Sequence, residues 1–183
     1  NVESNCVETD TAFVIEDKVL PIVEAGDPDT LGCEDTSLPL LGAGSDVGAN
    51  FTYEWSAIVD GEVCGPIDAI DAAACAAGTY QLLVTNTDNG CIATDIVQME
   101  EDLEKPQVDA GLPKVLNCDN EEVVLDGTGS LGSEFIYSWI PNPGNIVSGD
   151  NTLTPTVDQS GTYTVVVTDN DTGCTSMATV DVD

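Results

Sequence analysis

The strongest constraint on the fold is an internal repeat, because the chain carries two copies of one segment with a period of about 84 residues. Four pairs of matching stretches define the copies: Val23–Gly26 with Val108–Gly111, Tyr53–Trp55 with Tyr137–Trp139, Gly78–Tyr80 with Gly161–Tyr163, and Gly90–Cys91 with Gly173–Cys174. Tandem copies of this kind are separate structural units that contact their neighbours. The fold of one copy therefore predicts the fold of both.

The start of the sequence matches the end of a repeat. Asn5-Cys6 and the residues after it align with Gly90-Cys91 and the strand-like stretch that follows. We therefore predict that residues 1–19 are the last strand of a preceding repeat, that residues 20–105 form repeat 1 and that residues 106–183 form repeat 2. The same phase predicts that the sequence is a section of a longer tandem array.

Each repeat has the pattern of β-structure. Tyr163, Val165 and Val167 alternate with Thr164, Val166 and Thr168, and Gly, Asn and Asp residues bound such stretches. Six or seven short strands per copy predict an all-β fold of tandem immunoglobulin-like antiparallel β-sandwich domains. The stretch 68–77 has a helix-forming composition, and we expect at most one helical turn there, since its counterpart in repeat 2 resembles a strand.

The charge excludes several function classes. The 183 residues include 34 acidic and 3 basic side chains and no histidine, giving a formal net charge of −31. Nucleic acids and anionic membranes need basic surfaces, so neither is an expected partner. Catalysis or metal binding through imidazole is excluded. Since 42% of the residues are hydrophobic, the chain should still fold, and no apolar run is long enough to insert into a membrane.

Seven cysteines indicate an oxidising, extracellular compartment. Cys64 and Cys75 occur in repeat 1 alone and should pair with each other. Two schemes then fit the repeat phase. In the preferred one, Cys33 pairs with Cys91 and Cys118 with Cys174, and Cys6 has no partner within the chain. In the other, Cys6 pairs with Cys33 and Cys91 with Cys118. The preferred scheme has a difficulty. In a simple immunoglobulin sandwich, Cys118 precedes the second strand (B) and Cys174 opens the last strand (G), so the two cysteines lie at opposite ends, too far apart for a disulfide.

The sequence resembles the PKD-like, immunoglobulin-like repeats of very large secreted surface proteins of Bacteroidetes-type bacteria. The likeness covers nearly the whole chain, and its clearest stretches are Val108–Gly111, Val124–Ser130, Tyr137–Trp139 and Ser160–Asp169. The WDFGDG-like segment of true PKD domains is absent after Trp139. The resemblance implies a spacer, an adhesin stalk or filament material on the cell surface, and it brings no catalytic residues.

Acidic residues gather where repeats should meet, since the linker, the first strand and the F–G loop share one end of a sandwich. Oxygen ligands are those that Ca²⁺ prefers. We therefore predict that Ca²⁺ at the junctions stiffens the chain, with ligands drawn from Glu101, Asp102, Asp109, Asp169 and Asp171 at the second junction and from Glu16, Asp17, Glu24, Asp27 and Asp88 at the first.

Other motifs favour structural roles. Gly127–Gly132 fits the dinucleotide pattern G-x-G-x-x-G, but a strand should follow it instead of a helix, so we interpret it as a turn. Trp55 and Trp139 are expected in the core, and Tyr80 and Tyr163 at tyrosine corners.

The leading hypothesis is a non-enzymatic structural segment whose partners are neighbouring repeats or identical subunits. One alternative is an accessory module that binds surface glycans or proteins. Another is a fibre subunit that donates residues 1–19 as a strand.

Overall fold

The computed structural model describes residues 9–183, and this part of the chain contains strands and no helix. The fold is all-β, as predicted. None of the described residues forms a helix that is long and apolar enough to cross a membrane. The strands of repeat 1 are β1 (Asp29–Leu31), β2 (Leu38–Leu41), β3 (Phe51–Asp60), β4 (Asp71–Ala74), β5 (Gly78–Asn86) and β6 (Ile92–Glu101).

Repeat 1 has two sheets with an immunoglobulin-like arrangement. In the larger sheet β5 lies between β3 and β6 and pairs antiparallel with both, while the short β1 pairs parallel with β6. The smaller sheet is the antiparallel pair β2 and β4. This corresponds to strands C, F and G in one sheet and B and E in the other.

Repeat 2 has the same plan with shorter strands. Antiparallel β10, β13 and β14 form its larger sheet. Its smaller sheets are β11-β12-β8 and β7-β9, and Lys114 makes a parallel bridge to Val182 where β1 pairs with β6 in repeat 1. The strands are β7 (Val108–Asp109), β8 (Val123–Val124), β9 (Thr128–Gly129), β10 (Phe135–Asn142), β11 (Ile146–Ser148), β12 (Thr156–Val157), β13 (Gly161–Asp169) and β14 (Thr175–Val182).

Two separate hydrophobic cores account for the alternating sequence pattern. In β13 the side chains of Tyr163, Val165 and Val167 are fully buried, while the residues between them are only partly covered. The core of repeat 1 draws on both of its sheets, and so does the core of repeat 2. Burial of alternate apolar side chains therefore holds each sandwich together. The exact limits 20–105 and 106–183 stay predictions.

Tyrosine corners close both sandwiches. The hydroxyl of Tyr80 donates to the carbonyl oxygen of Ala76 at 2.6 Å, and that of Tyr163 donates to Gln159 at 2.6 Å. Trp55 and Trp139 are only 1% and 4% exposed. Their indole N–H groups donate to carbonyl oxygens across the core, which satisfies the one polar atom of each side chain.

The segment 68–77 contains a strand and no helical turn. Asp71–Ala74 forms β4 and pairs with β2, so the cross-strand partner outweighs the helix-forming composition, as the repeat predicts. Gly127–Gly132 contains β9 and leads into β10, so no helix follows that could receive a phosphate. Residues 9–19 form no strand and are exposed, while residues 1–8 lie outside the described part. Their assignment to a preceding repeat stays a prediction.

Candidate functional site: the junction between the repeats

A disulfide joins the two repeats. Cys33 of repeat 1 is bonded to Cys174 of repeat 2, with a Cα–Cα distance of 4.9 Å and a sequence separation of 141. The preferred sequence-based pairing of Cys33 with Cys91 and Cys118 with Cys174 is therefore wrong. The alternative, in which Cys91 pairs with Cys118, is also wrong, because both of these cysteines are free.

The physical reason is the length of the sandwich. Cys91 opens β6, whereas Cys33 follows β1, which pairs with Met99–Glu101 at the far end of β6. At about 3.3 Å per residue, these two points of repeat 1 lie about 30 Å apart. A disulfide requires Cα atoms within ~7 Å. Cys33 is therefore too far from Cys91 of its own repeat, and it lies at the end of the sandwich that faces Cys174 of the next repeat.

Backbone contacts fix the two partners against each other. Cys33 is the second residue of a tight turn, in which Asp35 N–H donates to the carbonyl oxygen of Gly32. The N–H of Cys33 donates to the carbonyl oxygen of Thr172 at 2.7 Å, across the junction. A Cβ atom on Gly32 would overlap that same oxygen. Glycine at position 32 therefore permits the F–G loop of repeat 2 to approach this turn.

The linker supports the same contact. The N–H of Asp102 donates to the carbonyl oxygen of Leu31 at 2.9 Å, which extends the pairing of β1 with β6. The Sγ atom of Cys174, which is fully buried, lies 3.8 Å from the carbonyl oxygen of Asp102. The turn after β1 of repeat 1, the start of the linker and the F–G loop of repeat 2 thus pack together.

The remaining cysteines differ in whether they are bonded. Cys64 and Cys75 form the predicted disulfide within repeat 1, with a Cα–Cα distance of 5.8 Å. Cys91 is half-buried and Cys118 is exposed, and neither is bonded. Cys6 lies outside the described residues. The sequence carries one usable signal for the true pairing, because its strand pattern places Cys118 and Cys174 at opposite ends of one sandwich.

The junction groove contains some of the predicted calcium ligands. Asp102 and Asp169 line it together with Glu104, Lys105 and Gln107. Glu24 and Asp27 line a second groove, on repeat 1, beside Asp29. Within residues 9–183, however, no three Asp, Glu, Cys or His side chains lie close enough together to hold a metal ion. Calcium binding therefore stays a prediction from the sequence.

Several of the predicted ligands accept hydrogen bonds from their own loops. Asp102, Asp109 and Asp169 each accept a backbone N–H from a residue two positions later, the arrangement of an Asx turn. Glu16 forms an ion pair with Lys18. The others are placed as follows: Asp17 accepts from the N–H of Val19, Asp171 and Asp88 lie in the two F–G loops, and Glu101 is the last residue of β6.

The surface is strongly and unevenly charged. Among the described residues only two ion pairs form, Lys18 with Glu16 and Lys114 with Asp126. Most of the acidic side chains therefore have no cationic partner, and they repel one another. A second covalent connection at the junction opposes this repulsion, because the linker alone would let the repeats move apart.

Comparisons with known proteins concern the fold only. No protein-family model matches the sequence, and no curated protein matches it. Similar solved structures include three N-terminal domains of the Hoc capsid protein of bacteriophage RB49, with a TM-score of 0.48 and 18% identity over 89% of this chain and 59% of that one. The titin fragment I67–I69 has a TM-score of 0.43 and 14% identity over 90% of this chain and 66% of that one.

A shorter neighbour corresponds to one repeat. The PKD domain of human KIAA0319 has a TM-score of 0.34 and 18% identity, and the match covers 44% of this chain and 82% of the PKD structure. This chain spans less than two thirds of the phage and titin structures. These likenesses assign no activity to this chain.

Proposed function

We propose that the chain is a non-catalytic, load-bearing segment of an extracellular repeat protein, such as a stalk, adhesin or filament. The observation that carries this proposal is the Cys33–Cys174 disulfide. Disulfides persist in oxidising compartments, which supports an extracellular or cell-surface location. The partners are then neighbouring repeats of the same kind. The resemblance to bacterial surface repeats points the same way.

The position of the disulfide suits a protein under tension. A force applied at the two chain ends passes from Cys33 through the sulfur atoms to Cys174, so residues 34–173 carry none of it. Both hydrophobic cores consist largely of residues within this loop. The disulfide therefore protects most of each sandwich from forced unfolding.

Glycan binding is less well supported. That function would need aromatic side chains exposed for stacking on sugar rings, but Trp55 and Trp139 are buried and their indole N–H groups are already bonded. The two grooves described above carry acidic side chains and are lined mainly by loops. A role in binding a surface glycan or protein would therefore depend on loop residues.

One observation favours strand donation as a second candidate function. Phe13 and Val14 are 88% and 95% exposed, in the segment that aligns with β6 of repeat 1. An apolar segment without a partner can add to the sheet of another chain. Each described repeat already has its last strand, β6 or β14, so a donated strand would have to displace it.

Single-molecule pulling from the two termini tests the load-bearing role. In the oxidised chain only residues outside 33–174 should extend, and reduction should release the loop. At ~3.4 Å per residue, the loop adds about 480 Å of contour length before the folded dimension is subtracted. The matched control is Cys64→Ser/Cys75→Ser, whose disulfide lies inside the loop and should not change the oxidised extension. Full extension of the oxidised wild-type chain would refute the proposal.

A further inference from the structure

The two free cysteines occupy the same positions in their repeats as the two bonded ones. Cys118 corresponds to Cys33, and Cys91 corresponds to Cys174. The bonded pair lies where the two sandwiches face each other. By the same repeat geometry, Cys118 lies at the end of sandwich 2 that faces away from repeat 1, and Cys91 at the end of sandwich 1 that faces away from repeat 2. Each free cysteine is therefore one half of a junction, at opposite ends of the two-repeat unit.

The backbone around each free cysteine has the same hydrogen-bond pattern as the backbone around its bonded counterpart. Around Cys118, the N–H of Asn120 donates to the carbonyl oxygen of Asn117 at 3.0 Å, which reproduces the turn around Cys33. The strand before it has the same register, since Lys114 bridges Val182 as Asp29 pairs with Met99.

The F–G loops also match. The N–H of Asn86 donates to the carbonyl oxygen of Cys91 at 2.9 Å, and the N–H of Gly90 donates back to Asn86 at 2.8 Å. The loop of repeat 2 has the same two bonds, at 2.8 Å each, between Asp169 and the Gly173–Cys174 pair. Gly90 and Gly173 have φ angles of 73° and 70°. The loop around Cys91 is therefore already formed in the conformation that repeat 2 uses to present its bonded cysteine.

We propose that each free cysteine forms the same bond with a neighbouring unit of this kind, so that Cys118 of one copy of this chain forms a disulfide with Cys91 of a second copy, head to tail. This proposal rests on the structural role proposed above and names its partner and its bonding site. A contact of this kind is heterologous, so it can be repeated from unit to unit in an open rod. In such a rod, the shortest covalent path through each copy runs along residues 92–117 alone.

One residue makes the new junction looser than the observed one. Asn117 takes the place of Gly32, and its Cβ atom would meet the carbonyl oxygen of the approaching loop. The observed Cα–Cα distance is 4.9 Å, whereas disulfides form at up to ~6.8 Å. The loop can therefore withdraw by more than 1 Å and still form the bond, with a weaker backbone hydrogen bond.

The bond forms by thiol–disulfide exchange with a small disulfide such as oxidised glutathione. The Cys118 thiolate attacks the small disulfide, which gives a mixed disulfide and releases one small thiolate. The Cys91 thiolate of the second copy then attacks the Cys118 sulfur and releases the other. Two electrons pass from the protein thiols to the small disulfide, and the two thiol protons go to the released thiolates.

The test is oxidation of the full chain in a glutathione buffer, followed by mass mapping of the linked peptides. Cys6→Ser leaves Cys91 and Cys118 as the two candidate thiols, and high salt screens the repulsion between copies. Random coupling of two equally reactive thiols would place half of the intermolecular links between Cys91 and Cys118. We expect this heterologous link to exceed three quarters, and we expect Asn117→Gly to increase its rate of formation severalfold, whereas the neighbouring Glu121→Gly should not.

The outcomes separate this proposal from the structural role. A random distribution of links, or a chain that stays monomeric under oxidation, would overturn head-to-tail bonding. If the same maps show Cys33 bonded to Cys174, the proposed load-bearing role survives that failure. If that internal bond is absent, the structural role fails on its own, whatever the free cysteines do.

Discussion

Cys33 and Cys174 are bonded across the boundary between two repeats, and the N–H of Cys33 donates to the carbonyl oxygen of Thr172 beside that bond. The two repeats are therefore connected twice, once by the linker and once by the disulfide. Two connections at different points restrict hinge motion far more than a linker alone. The orientation of the repeats should therefore depend on the oxidation state of this pair.

Removing the junction disulfide should loosen the chain. In Cys33→Ser/Cys174→Ala, repulsion among the acidic residues should drive the repeats apart, so the radius of gyration measured by small-angle X-ray scattering should increase. Stability should also fall, by at most about 5 kcal/mol on the chain-entropy model for a loop with a separation of 141.

The matched control is Cys64→Ser/Cys75→Ser. Its loop has a separation of 11 and lies within repeat 1, so about 3 kcal/mol should be lost without a change in the radius of gyration. An unchanged radius in both variants would show that the linker alone holds the repeats in place.

Gly32→Ala should hinder closure of the junction. The added Cβ atom would overlap the carbonyl oxygen of Thr172, and overpacking of this kind typically costs ~1–3 kcal/mol. The equilibrium constant for forming the Cys33–Cys174 bond in a glutathione buffer should therefore fall at least about fivefold. Asn117→Ala changes the equivalent turn residue in repeat 2, which is exposed, and should leave that constant unchanged. Equal constants for the two variants would contradict the tight approach at Gly32.

The sequence predicted each sandwich well because repetition and alternation act within one repeat. The buried alternation of Tyr163, Val165 and Val167 follows directly from the period of a strand. The burial of Trp139 follows from its place in the middle of a strand with small or apolar neighbours. These features depend on local geometry, which the residue pattern encodes.

The junction could not be predicted from the same pattern. Which cysteines meet depends on how two rigid sandwiches dock, and that is determined by contacts such as the one between Gly32 and Thr172. Repeat phase shows that Cys33 and Cys118 are equivalent positions, but it does not show which loop lies against them. Only the length of the sandwich, about 30 Å along β6, excludes a bond between Cys33 and Cys91.

Tyr163→Phe should destabilise repeat 2 by about 1–3 kcal/mol, since it removes a hydroxyl of a fully buried side chain and its hydrogen bonds, each of which contributes about 0.5–1.5 kcal/mol. The hydroxyl accepts the N–H of Asn145 at 3.0 Å and donates to Gln159 at 2.6 Å. Urea denaturation followed by Trp139 fluorescence, in a Trp55→Phe background, measures this effect in repeat 2 alone. The control Tyr137→Phe removes a half-buried hydroxyl that makes one bond, to Ser130, and should cost less. Equal losses would argue against the corner as the stabilising element.

Calcium binding at the junction is a sequence-based prediction that calorimetry can test directly. Asp102 and Asp169 line one groove there, and a divalent cation between them would relieve the repulsion that the disulfide now opposes. If Ca²⁺ contributes 1–2 kcal/mol, the melting temperature should rise by about 2–8 °C above that in NaCl of the same ionic strength. EDTA should reverse the rise, and Asp102→Asn should reduce it. Identical calorimetric traces in Ca²⁺, NaCl and EDTA would show that the disulfide and the backbone contacts hold the junction without a metal ion.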